Sequence, residues 1–209
     1  MATDKQKHLE KVLETHQISK HISIDKFIQK KNEIKSALNQ KFSKEKASNS
    51  IDSGSYAKNT AINTKFDIDC CIPFLKKENT EQNGFEKLED MYNAVYDYLN
   101  NEYDDDDLKE VRKQRVSIGL LFEIDEEEFN MDVVPGRERP NNNDYNDSNT
   151  DLSLYINDKS KKEEEKGSTK VKTNIKKHIE LLQGEGRKHE RKVARLLKEN
   201  NKTLPFGLY

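Results

Sequence analysis

Apolar residues recur at three- and four-residue steps through the first forty positions: Leu9, Val12 and Leu13, then Ile24, Phe27, Ile28, Ile34 and Leu38. That spacing predicts two helices between Asp4 and Phe42, broken near Ser19 to Ser23. After a short polar stretch the period changes to two. Phe66-Asp67-Ile68-Asp69-Cys70-Cys71-Ile72-Pro73-Phe74 alternates as a strand does. Helical spacing returns over Phe85 to Asn100 with Leu88, Met91, Tyr92, Val95 and Leu99. Val116 to Ile124 and Phe129 to Val134 are apolar and β-rich, which predicts an antiparallel hairpin turning over Asp125-Glu126-Glu127-Glu128, with Pro135-Gly136 closing the second strand. Arg139 to Asp151 reads as a loop, Leu152 to Ile156 as one further strand, and Lys159 to Lys170 as a charged linker. Two helices, Ile175 to Leu182 and His189 to Asn200, flank Gly184-Glu185-Gly186 at the end.

Composition narrows where a core can lie. Only 32% of the 209 residues are hydrophobic and 36% are charged, so burial must be concentrated in those few patterned segments. The 37 basic and 39 acidic residues nearly cancel, and no global charge draws the chain to nucleic acid or to a membrane surface. The local basic run Arg187, Lys188, Arg191, Lys192 and Arg195 reads as a solvated helix face rather than a nucleic-acid interface. Cys70 and Cys71 are adjacent and alone, with neither the second pair of a zinc site nor the spacing of a disulfide framework, so they read as strand packing. The first residues lack the apolar stretch of a signal peptide, and no run of about 18 apolar residues occurs. A soluble protein of the reducing cytoplasm is expected. The run Asp104 to Asp107 lacks the alternating ligands and the glycine of a calcium loop and reads as a solvated turn.

The chemistry is carried by aspartates on strands. Side chains two apart on a strand share a side, so Asp67 and Asp69 present two carboxylates opposite the apolar set Phe66, Ile68, Cys70, Ile72 and Phe74. Like charges so placed repel, and an oxygen-seeking dication such as magnesium relieves the repulsion. An acidic face on a half-exposed edge strand is the bland alternative. Asp132 adds weight to the first reading, because in Phe129-Asn130-Met131-Asp132-Val133-Val134 it points away from the apolar side. If the two strands are neighbours, the three carboxylates converge as in a two-cation site for displacement at phosphorus, the cations lying about 3.5–4 Å apart. Gly54-Ser55 stands a little upstream. Its glycine allows close backbone approach, its serine offers a hydroxyl and an N–H, and a short helix starting at Tyr56 would aim its N-terminus at a phosphate.

Gly54-Ser55-Tyr56, Thr60-Ala61-Ile62, Asp67-Ile68-Asp69 and Met131-Asp132-Val133-Val134-Pro135-Gly136 together resemble the polymerase-beta-like nucleotidyltransferase superfamily. Within it they are most similar to the bacterial CD-NTases of anti-phage signalling, relatives of cyclic GMP-AMP synthase and oligoadenylate synthase. Leu154-Tyr155-Ile156-Asn157-Asp158, Thr173-Asn174 and Arg195-Leu196-Leu197-Lys198 carry the likeness further. It implies an α+β nucleotidyltransferase fold, a mixed β-sheet flanked by helices. Residues 1–47 would be N-terminal helices packing behind the core, 48–158 the catalytic core, and 159–209 a linker and the first helices of an incomplete C-terminal helical domain.

The resemblance also implies roles. Asp67 and Asp69 would bind magnesium, with manganese as an alternative; Asp132 would complete the site and help to deprotonate the attacking hydroxyl. Gly54 and Ser55 would hold the triphosphate of an NTP substrate. Lys198 would reach that triphosphate from the helix behind the cleft, unless it is an ordinary solvated lysine. The implied product is a cyclic di- or oligonucleotide messenger. Transfer to a protein, an RNA or a small molecule, or a silent nucleotide-binding module, are the alternatives. The sequence departs from the family pattern at Asn59, where glycine is usual, and asparagine is expected to tolerate the left-handed backbone required there. It also lacks a zinc-binding cluster. Because it stops at Tyr209, where relatives continue, Val193, Leu196 and Leu197 with Phe206, Leu208 and Tyr209 are expected either to drive self-association through an exposed C-terminus or to leave that terminus mobile and poorly ordered.

Overall fold

Two helices and the apolar side of one sheet account for most of the buried surface. The computed structural model describes residues 3–64, 66–77, 83–139, 151–158 and 170–200. Its strands are β1 (Ile51–Ser53), β2 (Asp69–Phe74), β3 (Leu108–Lys113), β4 (Ile118–Ile124), β5 (Glu127–Glu138), β6 (Leu152–Tyr155) and β7 (Lys170–Thr173). They form one sheet in the order β1-β2-β5-β4-β3, with β6 on the far half of β5 and β7 beyond it. β2 and β5 run parallel, and the other pairs are antiparallel. The helices are α1 (Asp4–Thr15), α2 (Ile24–Lys41), α3 (Gly54–Ala57), α4 (Leu88–Asn101), α5 (Ile175–Gln183) and α6 (Lys188–Asn200). The α+β expectation holds.

Strand alternation decides the faces. Ile68, Cys70, Ile72 and Phe74 of the β2 segment, Leu120 and Phe122 of β4, and Phe129, Met131 and Val133 of β5 all turn to one side. There they meet Phe27, Ile34 and Leu38 of α2 and Met91, Tyr92, Val95 and Leu99 of α4. The opposite side is apolar only in a smaller cluster around Cys71, Leu152, Leu154 and Ile175. Elsewhere on that side lie the polar residues of interest below. Both cysteines are free and fully buried; burial pushes the Cys70 thiol up to about 12, consistent with packing rather than chemistry.

Several expectations are corrected. Pro135-Gly136 does not close the second strand; β5 continues to Glu138. Pro135 falls in the gap between two antiparallel partners, since β4 pairs only as far as Val133 and β6 begins at Arg137, so neither calls on an N–H there. Strands β1, β3 and β7 arise in segments where no strand is expected. The Asp104 to Asp107 run is a turn with Asp104 and Asp106 exposed, as expected, but Asp105 and Asp107 are tied to the fold. Lys30 of α2 lies 2.9 Å from both Asp105 and Asp107, and the Tyr103 hydroxyl donates to Asp105.

The loop over Arg139 to Asp151, apart from its two end residues, and the linker over Lys159 to Lys170, apart from Lys170, lie outside the described residues, as do Phe206, Leu208 and Tyr209. Val193 and Leu197 of α6 are exposed and Leu196 is half-buried. Among the described residues no helix is long and apolar enough to cross a membrane.

Strand β1 is fastened to α2 by charge. Asp52 points to the helical side, where Lys31 donates to one carboxylate oxygen at 2.7 Å and Lys35 to the other at 2.5 Å. Burial alone would raise the Asp52 pKa, but the two lysines outweigh it and hold it below the ordinary value. Lys31 is only 3% exposed, so removing its partner strands a buried ammonium. Asp52→Asn is expected to cost about 1–3 kcal/mol near neutral pH, after allowing for the part of Asp52 that faces solvent. A depressed carboxylate stabilises the fold above its unfolded pKa and loses that contribution as pH falls through the folded one. The gap between wild type and variant in urea denaturation is therefore expected to narrow below about pH 4.

Candidate active site

The register places five residues in a row across the sheet, on the face turned away from α2 and α4. Arg112 of β3 pairs with Gly119 of β4, and Gly119 with Asp132 of β5. The parallel pairing of Cys70 with Val133 sets Asp69 beside Asp132, and Asp69 pairs with Ser53 of β1. Asp69 Oδ1 accepts the backbone N–H of Asp132 at 3.1 Å, so the two carboxylate-bearing strands are tied at the site itself. Two of the three aspartates read from the sequence are thus lateral neighbours.

Asp67 joins them from outside the strand, because β2 begins only at Asp69. Its backbone is held instead by the turn that follows β1. Asp67 N–H donates to Ser55 Oγ at 2.9 Å, and Tyr56 N–H donates to Asp67 O at 3.1 Å. Ser55 is buried and its carbonyl accepts from Thr60 N–H at 2.9 Å, which closes the loop back on itself. Asn59 within that loop has φ 56°, the left-handed conformation expected of it.

Gly54 has φ +74°, and a Cβ there would stand 2.5 Å from Asp69 Oδ2 and 2.7 Å from Asp67 O. Only glycine lets the backbone pass so close to the carboxylates. The short helix begins at Gly54, not at Tyr56, and with four residues it is too short for an appreciable helix dipole. Any grip on a phosphate rests on the backbone of the turn.

The electrostatics favour a bound cation. Burial, resisted by the N–H of Asp132 but reinforced by the negative charges of Asp132 and Asp67, raises the Asp69 carboxyl to about 7. Burial likewise raises Asp132, although Ser117 and Gln114 donate to it. Among the described residues no group of three or more His, Cys, Asp or Glu side chains forms a ready-made cation cage. The donor set nonetheless fits a hard dication. It is all oxygen, its buried member ionises reluctantly without a counter-charge, and the Ser53 hydroxyl, buried beside Asp69, has no hydrogen-bond partner among the described residues.

Lys198 lies on the last turn of α6, next to Glu199. Glu199 accepts from the Thr64 hydroxyl at 3.3 Å and pairs with His16 at 3.3 Å, which seats that turn of α6 against the loop leading to Asp67 and against the end of α1. The row also contains residues that strand periodicity does not single out, Ser53, Arg112 and Gly119, and the turn between β3 and β4 brings Gln114 and Ser117 up to Asp132. The one signal available was Gly119, a glycine inside an apolar strand run, which marks a close approach by something else.

Residues 1–171 match the family model of the Second Messenger Oligonucleotide or Dinucleotide Synthetase domain. No curated protein matches the chain. Similar solved structures include CdnC of E. coli MS115-1 with ATP, at 18% identity and TM-score 0.57, covering 97% of this chain and 61% of that one. The CdnC:HORMA-deltaN complex of the same strain is similar at 17% identity and TM-score 0.56, with coverage of 97% and 60%. The CdnE cyclic dinucleotide synthase of Elizabethkingia meningoseptica with GTP and Apcpp follows at 16% identity and TM-score 0.56, with coverage of 83% and 58%. At such identities the likeness is one of fold. The chain spans about three fifths of the length of these structures.

Proposed function

The chain belongs to the Second Messenger Oligonucleotide or Dinucleotide Synthetase domain family, and on that premise we propose that it is a nucleotidyltransferase that joins NTPs into a cyclic di- or oligonucleotide messenger. The observation that carries this reading is the lateral pairing of Asp69 with Asp132, with Asp67 pinned beside them by the Gly54-Ser55 turn. Asp67, Asp69 and Asp132 would hold magnesium or manganese. The bound cation supplies Lewis-acid stabilisation of the charge that develops on the phosphate oxygens.

The other roles belong to the chain. The Gly54-Ser55 backbone lies against the triphosphate, where the missing Cβ leaves room. The Asp132 carboxylate takes the proton of the attacking hydroxyl as its oxygen bonds to the α-phosphorus and the bond to the β-phosphate oxygen breaks, releasing pyrophosphate. Lys198 adds a positive charge from α6. Anti-phage signalling in the cytoplasm is the biological setting we infer, on the strength of the resemblance to bacterial CD-NTases.

The test is incubation with labelled NTPs and magnesium or manganese, with pyrophosphate and products resolved. Wild type is expected to release pyrophosphate and form linked nucleotides, and Asp132→Asn to do neither. Product formation that survives Asp132→Asn unchanged would overturn the reading.

A further inference from the structure

Asp132 is gripped by residues that belong to none of the three aspartate positions. Ser117 Oγ lies 3.2 Å from Asp132 Oδ2 and 2.7 Å from Gln114 Oε1, so its single proton has two acceptors. Gln114 thus stands behind Asp132 through the Ser117 hydroxyl, which lies within bonding distance of both side chains. Both residues sit on the tight turn joining β3 to β4, where Gln114 N–H donates to Ser117 O at 3.0 Å.

That turn is clamped from two directions. The Tyr92 hydroxyl of α4, almost fully buried, stands 2.9 Å from Gln114 O and 2.8 Å from Ser117 O. Asn157, just beyond β6, donates its backbone N–H to Arg115 O at 2.7 Å and its side-chain amide to Gln114 O at 3.3 Å. These bonds, all to main-chain carbonyls, fix the backbone of the turn from which both side chains reach toward Asp132. Gly119 completes the arrangement. It is the cross-strand neighbour of Asp132, and a Cβ on it would overlap Gln114 Nε2, so the carboxamide occupies the space that any other residue would fill.

We propose that Gln114 and Ser117 are positioning residues that orient the Asp132 carboxylate toward Asp69 and Asp67 for cation binding, and that Gly119 is glycine to admit the Gln114 side chain. The inference rests on the function proposed above and extends it to the residues behind the ligands. Outer partners that orient a metal-binding group typically govern affinity by about 10- to 100-fold. They act on the cation and on turnover, not on the grip of the triphosphate.

The test uses the full chain and Mn2+, titrated with and without a non-hydrolysable ATP analogue and followed by electron paramagnetic resonance. Thermal melting and steady-state kinetics are measured on the same proteins. Ser117→Ala, Gln114→Met and Gly119→Ala are each expected to weaken Mn2+ binding by about tenfold or more and to lower kcat while KM for NTP changes little. Ser117→Thr, which restores the hydroxyl, is expected to recover most of the Mn2+ affinity. Gly119→Ala and the Ser117 pair keep the test decisive if Gln114→Met folds poorly. Wild-type Mn2+ affinity in both Ser117→Ala and Gly119→Ala, beside a clear loss in Asp132→Asn, would overturn this inference and leave the functional reading standing. Undiminished Mn2+ binding in Asp132→Asn would overturn both.

Discussion

Asp69→Asn is expected to lower nucleotidyl transfer by about 100-fold or more while making the metal-free fold more stable. The substitution keeps an oxygen that can accept the Asp132 N–H now bonded at 3.1 Å, so the tie between β2 and β5 survives. What disappears is a carboxylate that burial and two like charges hold near 7. The sign follows from the direction of that shift. A carboxyl with a raised folded pKa favours the fold below its unfolded value, near 4, and loses that contribution as pH rises through about 7. Asparagine carries no such penalty. In thermal or urea unfolding without divalent ions, the variant should exceed wild type by about 2–4 kcal/mol above pH 7, and the gap should close toward pH 4. Added Mg2+ should stabilise wild type more than the variant. A variant that melts below wild type at pH 8 in chelator would contradict this account.

Gly54→Ala is expected to be damaging in a different way. The residue has φ +74°, which costs an alanine about 1 kcal/mol, and its new methyl would stand 2.5 Å from Asp69 Oδ2 and 2.7 Å from Asp67 O. Neither neighbour yields cheaply, since Asp67 O already accepts from Tyr56 N–H and Asp69 also holds Asp132. Strain and overpacking together should cost about 2–4 kcal/mol in denaturant unfolding and abolish measurable NTP binding. Gly186→Ala is the control, because nothing lies within 4 Å of a Cβ there and its φ is unexceptional. Equal stability for the two alanine variants would show that the turn has more room than its geometry indicates.

How much of this was legible before folding depends on which physical signal each residue emits. The helical period of Phe27, Ile34 and Leu38, and of Met91, Val95 and Leu99, identified α2 and α4 because both bury one continuous stripe. Alternation likewise told which way Asp69 and Asp132 point. It misled about Asp67, since extended backbone keeps the alternation of Phe66 and Ile68 whether or not a partner strand is present. Strand β1 was hidden because its inward residue is Asp52, whose burial is made tolerable by Lys31 and Lys35 from a distant helix. Strand β3, Leu-Lys-Glu-Val-Arg-Lys, is an edge with little to bury and so carries the charge of a loop. Gln114 and Ser117 were invisible for another reason. They sit on a turn and meet Asp132 only through the register of β4 on β5, which no local pattern encodes.

The one parallel pairing among the described strands joins residues far apart along the chain: Asp69 and the N–H that it receives are separated by 63 positions. Such a contact forms only after the intervening helix α4 and the β3-β4 hairpin have found their places, because a long loop must close before the pairing repays it. The carboxylate pair is consequently among the late products of folding. During synthesis the segment bearing Asp67 and Asp69 leaves the ribosome well before Asp132 exists, and until β5 docks beside β2 those two acids lack the third carboxylate and the N–H that Asp69 accepts. A chain that stalls with the hairpin undocked therefore carries the acidic motif without the paired carboxylates.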